Sequence, residues 1–190
     1  MIQDIFTLII DTVASLYLMI ILLRFILQYS RADFYNPISQ FIAKATNPLL
    51  MPLRKVIPGY GGLDIAALVL AFLFQVAAIF LKALLAGFVM ANVLSLFAIA
   101  GISILGMMLK IYFWSLLIMI IASWIAPGSA HPALALVNQI TEPLMKPFRR
   151  ILPPMGGLDI SPIIVFMVLQ VLSVVVAHLS QPFGIGFSLM

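Results

Sequence analysis

The sequence has no cysteine, few charged residues and only two histidines. Without cysteine the chain forms no disulfide, no thiolate metal site and no cysteine nucleophile. The patterns HExxH, GxSxG and the P-loop, which carry metalloprotease, acyl-transfer and nucleotide chemistry, are also absent. We therefore expect a protein that is not an enzyme and that holds no metal or cofactor.

What the chain does have is long apolar runs. Hydrophobic residues make up 64% of the sequence and charged residues 8%, whereas a soluble domain is about 45–50% apolar and about a quarter charged. A membrane-crossing helix needs about 20 mostly apolar residues. We predict four such spans and read the first as retained rather than as a cleaved signal peptide. The spans cover about residues 5–27, 65–86, 102–125 and 160–179.

The two polar, proline-rich loops, residues 28–64 and 126–159, hold seven of the ten Lys and Arg residues. These residues are Arg31, Lys44, Arg54, Lys55, Lys146, Arg149 and Arg150. Because basic loops stay in the cytoplasm, we expect both loops inside a bacterial inner membrane and both termini outside. The net charge of +4 then reflects topology, and we expect no nucleic-acid partner. In this topology His131 and His178 lie on opposite sides and cannot share one metal, although a haem held by either one stays open.

A shift of 95 positions aligns the two halves of the chain. Between Thr46 and Ile65, 11 of 20 residues are identical in the second copy, which indicates an internal repeat. Each copy holds two spans, so both enter the membrane in the same direction and are related by an axis along the membrane normal. We divide the chain into a first repeat at 1–90, an apolar interfacial connector at 91–101 and a second repeat at 102–190. The connector could instead extend a neighbouring helix.

The fold class follows from these patterns. We predict an all-α membrane protein with four transmembrane helices, built from two tandem parallel helix–loop–helix repeats with amphipathic interfacial segments. The interfacial segments are expected as short helices, with apolar stripes at Ile38, Phe41, Ile42 and Ala45 in the first loop. In the second loop the stripe is formed by Leu134, Val137 and Ile140.

The stretch "TEPLMKPFRRILPPMGGLDISPII", residues 141–164, resembles the signature of the YggT family of small membrane proteins. The resemblance covers nearly the whole chain and is looser in the first repeat. It implies links to osmotic and potassium tolerance, to cell-division gene neighbourhoods and, in plastid relatives, to haem-protein or membrane-complex assembly. These links name no single biochemical activity.

The repeated motif itself suggests how each loop ends. Prolines, which remove an amide donor, should divide the loops into short helical pieces. Paired glycines should supply positive φ, and Asp64 and Asp159 should cap the spans that follow. The motif residues are Pro52, Arg54, Lys55, Gly61, Gly62 and Asp64 in the first copy and Pro147, Arg149, Arg150, Gly156, Gly157 and Asp159 in the second.

The basic residues of the motif have three readings. They could anchor the loops at lipid headgroups, form an Arg–Asp clamp that fixes each loop as a docking surface, or recognise an anionic ligand. Anchoring at the membrane interface requires the fewest assumptions.

Four polar residues are predicted inside the spans: Asp11, Gln75, Lys110 and Gln170. Such residues are functional candidates because charge is costly at membrane depth. The glutamines either bond across helices or line a polar path. Lys110 either pairs with Asp11 or extends to the outer surface, and Arg24, Lys82 and His178 are expected to extend to the surface from span ends.

Two functions follow as hypotheses. The first is a non-enzymatic scaffold or assembly factor that docks other membrane proteins through its loops, in contact with the lipid bilayer. Whether it forms a homo-oligomer stays open. The second is ion or solute handling that supports potassium uptake and osmotic tolerance, which requires a continuous polar lining through Gln75, Gln170 and Lys110.

Overall fold

The structure, a computed structural model, describes residues 2–85, 87, 92–151, 159–183 and 189. Within these residues the chain forms six α-helices and a closing 3-10 turn, Gln181–Phe183. The helices are α1 (Ile2–Tyr29), α2 (Pro37–Val56), α3 (Ile65–Leu85), α4 (Val93–Ile125), α5 (Pro132–Ile151) and α6 (Ser161–Ser180). The predicted all-α class is confirmed.

Four of the helices are long and apolar enough to cross a membrane, which agrees with the predicted number of spans. The candidate spans are Ile5–Tyr29, Ile65–Leu85, Val93–Ile125 and Ser161–Phe183. The helix that contains the third span starts before residue 102, where the span was predicted to begin, as the alternative reading of the connector allowed. This helix begins at Val93, where the side chain of Asn92 accepts the backbone N–H of Leu94 at 2.9 Å. Residues 93–101 of the proposed connector therefore belong to this helix, because no proline interrupts the run and Gly101 alone does not break it.

The helices α2 and α5, which follow the first and the third span, are each continuous over 20 residues. The prediction of short pieces was wrong, although Pro48 and Pro52 lie inside α2, and Pro143 and Pro147 inside α5. Two prolines four residues apart lie on one helix face. An ordinary residue at the second position would have donated its backbone N–H to the carbonyl of the first. The missing hydrogen bonds therefore fall on a single stripe, and in α2 both prolines are solvent-exposed, so the freed carbonyls can be hydrated.

Each repeat packs its two spans together and lays its interfacial helix across them. In the first repeat α1 packs on α3 and α2 contacts both, and in the second α4 packs on α6 and α5 contacts both. The repeats meet where α4 packs against α3 and α1. Ile21, Leu22 and Ile26 of α1 are fully buried in the larger core cluster.

The residues that α2 and α5 bury within the protein overlap only in part with the apolar stripes that were predicted to lie on the membrane surface. In α2 the buried residues are Ser39, Ile42, Ala43, Thr46 and Leu50, and in α5 they are Leu136, Ile140, Thr141 and Met145. Phe41, which was predicted to lie on the apolar stripe, is 62% exposed. The threonines take buried positions because each hydroxyl donates to the carbonyl four residues earlier, at 2.8 Å in α2 and 2.9 Å in α5.

Candidate functional site

An arginine–aspartate pair joins the end of α2 to the start of α3 in the first repeat. Arg54 Nη2 lies 2.5 Å from Asp64 Oδ2, and the Asp64 side chain is only 3% exposed. The other carboxylate oxygen of Asp64 accepts the backbone N–H of Ala67 at 3.2 Å, three residues later, as an N-cap residue does. Arg54 also donates to Gln28 Oε1 at 3.0 Å. One guanidinium thus holds α1, α2 and α3 together.

The chain between α2 and α3 reverses in a tight turn. Tyr60 and Leu63 exchange two backbone hydrogen bonds, of 3.0 and 3.2 Å. The two residues between them, Gly61 and Gly62, have φ angles of 60° and 83°, and positive φ at both central positions is the pattern of a type I′ turn. The paired glycines are therefore needed for backbone conformation and return the chain to Asp64.

The second repeat forms the same pair with a more open geometry. Arg149 Nε donates to Asp159 Oδ2 at 2.9 Å and Arg149 Nη1 donates to Glu142 Oε2 at 2.7 Å. The Arg149 and Asp159 side chains are 41% and 38% exposed. Asp159 Oδ1 accepts the backbone N–H of Ser161, the first residue of α6, at 2.9 Å. The predicted turn glycines Gly156 and Gly157 lie outside the described residues.

Electrostatics at Asp159 favour the charged form. Its partial burial opposes ionisation, but hydrogen bonds from Ser161 and the nearby guanidinium of Arg149 outweigh this effect and hold the pKa of the Asp159 carboxyl below its usual range. The carboxylate is therefore charged at neutral pH and available both to the arginine and to the helix end.

The two interfacial helices also contact each other across the repeat boundary. Asn36 Nδ2 donates to the carbonyl of Pro132 at 2.8 Å, and Gln139 Oε1 accepts the backbone N–H of Asp33 at 2.9 Å. The Asn36 side chain is buried and also caps α2 by accepting the N–H of Ile38. Sequence reasoning missed Asn36, although its position directly before Pro37 is a typical helix start.

His131 occupies the position equivalent to Asn36 in the second repeat. Its Nδ1 accepts the backbone N–H of Ala133 at 3.2 Å, so the imidazole caps the start of α5. His178 is exposed on α6. Among the described residues no group of three His, Asp or Glu side chains is placed to hold a metal ion.

The outward side of the two helices carries basic residues. Lys44 and Lys55 of α2 and Lys146 and Arg150 of α5 are all exposed. We call the exposed side of α2 and α5 the loop-side surface. The predicted motif residues Pro52 and Pro147 are exposed on it as well.

The polar residues inside the spans are arranged differently from the prediction. Asp11 pairs with Lys82 of α3, whose Nζ lies 2.6 Å from Asp11 Oδ1, rather than with Lys110 of α4. The reason is that α3 is the principal packing partner of α1. Lys82, expected to extend to the surface, thus ties two spans of the first repeat together.

The two mid-span glutamines do not share one environment. Gln170 is exposed on the outside of the bundle, while Gln75 and Lys110 are half-buried. Cavities in the described part of the chain include three of about 760, 340 and 540 Å³, and none of these three is lined by Gln75, Lys110 or Gln170. The third cavity is lined by apolar side chains and Gly101 between α1, α3 and α4.

Comparison with known proteins matches this architecture to one family in both halves of the chain. The sequence pattern of the family CCB3/YggT matches residues 3–85 and again residues 98–180, two segments that begin 95 positions apart. No solved structure matches the chain.

Several bacterial relatives align over nearly their full length. Uncharacterized protein PA0392 of Pseudomonas aeruginosa is 52% identical over 171 residues, which is 90% of this chain and 87% of the relative. Uncharacterized protein YggT of Escherichia coli K12 is 41% identical over 182 residues, which is 94% of this chain and 92% of the relative.

A shorter relative matches little more than a third of the chain. Uncharacterized protein ycf19 of Guillardia theta is 38% identical over 73 residues, which is 37% of this chain but 79% of the relative. The matched length is shorter than one family segment of this chain, residues 3–85. The chain described here, with two copies of the repeat, belongs to the CCB3/YggT family.

Proposed function

We propose that the protein is a non-enzymatic scaffold or assembly factor that docks other membrane proteins through its loop-side surface. The observation that carries this proposal is the tethering of α2 and α5. Each helix is tied to the following span by an arginine–aspartate pair, and the two helices are tied to each other through Asn36 and Gln139. A surface held at this many points is preorganised, which reduces the ordering entropy lost on binding.

The charge of the surface indicates the chemistry of the partner. Lys44, Lys55, Lys146 and Arg150 are exposed, and opposite charges across an interface raise the rate of encounter and fix its orientation. The partner should therefore present acidic residues at the same membrane surface.

The alternative function, ion or solute handling in potassium uptake and osmotic tolerance, has less support. A path requires polar groups facing the bundle interior, but Gln170 faces outward. The described cavity between α1, α3 and α4 has an apolar lining. The arrangement of the helices still permits an ion path between the subunits of a homo-oligomer.

The scaffold proposal includes an orientation, with the protein in the bacterial inner membrane, α2 and α5 in the cytoplasm and both ends outside. Single cysteines introduced at Lys44, Ser129 and Gln181, all exposed, allow a test in this cysteine-free chain. An impermeant thiol reagent added outside spheroplasts should label the Gln181 position alone. Labelling at Lys44 or Ser129 in the same spheroplasts would show that the orientation is the opposite one.

Photo-crosslinking tests the docking itself. A photoreactive residue at Lys44 and, separately, at Lys146 should yield the same membrane-protein adduct, because α2 and α5 form one surface. The matched control position is Gln181, also exposed but at the end of α6. Reversing two charges with Lys55→Glu and Arg150→Glu should reduce both adducts at unchanged protein level.

Two results would contradict the proposal: no common adduct from the two helices, or an adduct that is unaffected by charge reversal and also forms from Gln181. Potassium flux into liposomes that contain the purified protein, above the rate of empty liposomes, would support the alternative.

A further inference from the structure

A cavity of about 340 Å³ in the first repeat collects positive charge and unpaired donors. It lies where α1 ends and α2 begins, and its polar lining comes from Arg24, Gln28, Arg31 and Ser39. Arg24 Nε and Ser39 Oγ are both enclosed without a hydrogen-bond partner, and Ser39 is only 4% exposed. Buried polar groups in proteins are nearly always hydrogen-bonded. Two unpaired groups in the wall of one cavity are therefore available to a ligand.

The neighbouring contacts favour an anionic ligand. Arg54 is already bound to Asp64 and to Gln28 Oε1, so the amide of Gln28 retains its NH₂ group as a donor. Arg24 and Arg31 have no ion pair with a carboxylate among the described residues. The lining therefore offers two guanidinium groups, an amide and a hydroxyl, the set of donors that binds phosphate oxygens.

The position of the cavity is consistent with a lipid headgroup. Arg24 lies five residues before the end of α1 at Tyr29, about 7 Å along the helix axis. The polar region on each side of a bilayer has a similar thickness. Ser39 lies in the first turn of α2, where the positive end of the helix also attracts an anion.

The second repeat has a cavity at the equivalent position, whose wall includes the Arg149–Asp159 pair but has no counterpart of the Arg24 and Arg31 guanidinium groups. Every lining residue of the first cavity has its counterpart, 95 positions later, in the lining of the cavity of about 760 Å³. Met119 replaces Arg24, Ala126 replaces Arg31 and Leu134 replaces Ser39. The fold of the repeat therefore does not require Arg24, Arg31 or Ser39, which separates a ligand role for these residues from a structural one.

We propose that the first-repeat cavity binds a phosphate group, supplied either by an anionic phospholipid headgroup or by free phosphate. Arg24 and Arg31 neutralise the charge, while Ser39 and Gln28 donate hydrogen bonds to its oxygens. This site is independent of partner docking at the loop-side surface, which lies on the outward side of α2 and α5.

The test compares charge removal inside and outside the cavity. The variant Arg24→Met with Ser39→Leu installs the residues of the second repeat, and Lys44→Ala with Lys55→Ala removes exposed charges elsewhere on the same repeat. Purified protein is melted in detergent with phosphatidylglycerol, with phosphatidylcholine, or with inorganic phosphate and no lipid. The parent should gain roughly 5 °C in melting temperature from saturating ligand. The cavity variant should lose this gain through an affinity at least about tenfold lower, and the Lys44/Lys55 variant should retain it.

Comparing the lipid samples with the inorganic phosphate sample distinguishes the two sources of the phosphate group. A gain from phosphatidylglycerol and not from inorganic phosphate assigns a lipid headgroup, and a gain from inorganic phosphate alone assigns the free anion. If the cavity variant does not fold, Arg31→Gly with Ser39→Ala serves instead, because glycine suits the positive φ of 51° at Arg31. The proposal is overturned if neither ligand stabilises the parent, or if the cavity variant and the Lys44/Lys55 variant respond alike.

Discussion

The two repeats place the same arginine–aspartate pair in different surroundings. In the first repeat Asp64 is buried and Arg54 also holds Gln28 of α1, whereas in the second Arg149 and Asp159 are both more than a third exposed. The first repeat also carries the Asp11–Lys82 pair, whose positions are Gly106 and Ala177 in the second, and the cationic cavity lined by Arg24 and Arg31, whose counterparts are Met119 and Ala126. The two copies thus share one backbone unit and one arginine–aspartate pair, while these four further charged residues of the first copy have uncharged counterparts in the second.

The largest expected effect comes from breaking the arginine pair in each repeat. Arg54→Ala should lower the free energy of unfolding by about 3–5 kcal/mol, because it leaves the Asp64 carboxylate buried without its partner. Arg149→Ala should cost less than about 1 kcal/mol, since an exposed pair contributes little. Thermal and denaturant unfolding in detergent measure both values. Arg54→Lys, which keeps the charge, is the matched control and should lose less than Arg54→Ala. Equal losses at Arg54 and Arg149 would contradict the difference in burial.

The spans and the repeat could be predicted because each depends on a local or periodic signal. A run of about 20 apolar residues identifies a span wherever it packs, and the 95-residue shift is visible in the letters alone. The continuity of α2 and α5 could not be predicted from single prolines. It depends on Pro48 and Pro52 sharing one exposed stripe, a consequence of helical spacing that a count of prolines does not show.

The contacts between elements were the part that the sequence left open. The position of Asp11 along α1 gives its depth but not its neighbour, and only the packing of α1 on α3 selects Lys82 over Lys110. The cationic cavity needs Arg24 and Ser39, which lie on different helices that the loop brings together. A signal was present nevertheless: Arg24, in a span, aligns with Met119 in the other repeat, and an arginine kept at one of two equivalent positions indicates a local need for charge.

The second-largest effect is expected at the Asp11–Lys82 pair and tests whether this pair stabilises the packing of α1 on α3. Lys82→Ala or Asp11→Ala alone should destabilise the protein by about 1–2 kcal/mol, less than Arg54→Ala because both side chains are partly exposed. The double variant should recover most of the loss, since it leaves no unpaired charge. The double variant then has small uncharged residues at both positions, as the second repeat does with Gly106 and Ala177. Additive losses in unfolding measurements would show that the two residues act separately.

The third effect concerns the turn that precedes Asp64. Gly61→Val should cost about 1–2 kcal/mol, because a β-branched residue is strained at the φ of 60° found there. No atom lies near the site of an added Cβ, so the cost is one of backbone conformation. Gly61→Asn is the control and should be nearly neutral, since asparagine tolerates this region. The same series at Gly156 extends the comparison, and equal melting temperatures for the valine and asparagine variants of Gly61 would refute the turn assignment.

The smallest effect is the pH dependence of the second repeat's pair. The pKa of Asp159 is held below its usual range, so its contribution is present in full above the unfolded-state pKa of about 3.9. That contribution is lost as the pH falls through the lower pKa of the folded state. The difference in melting temperature between the parent and Asp159→Asn should therefore be constant near neutral pH and shrink toward zero below about pH 4. Because Arg149 and Asp159 are exposed, the full difference should correspond to no more than about 1 kcal/mol. A difference that persists unchanged into strong acid would show that Asp159 contributes through something other than its charge.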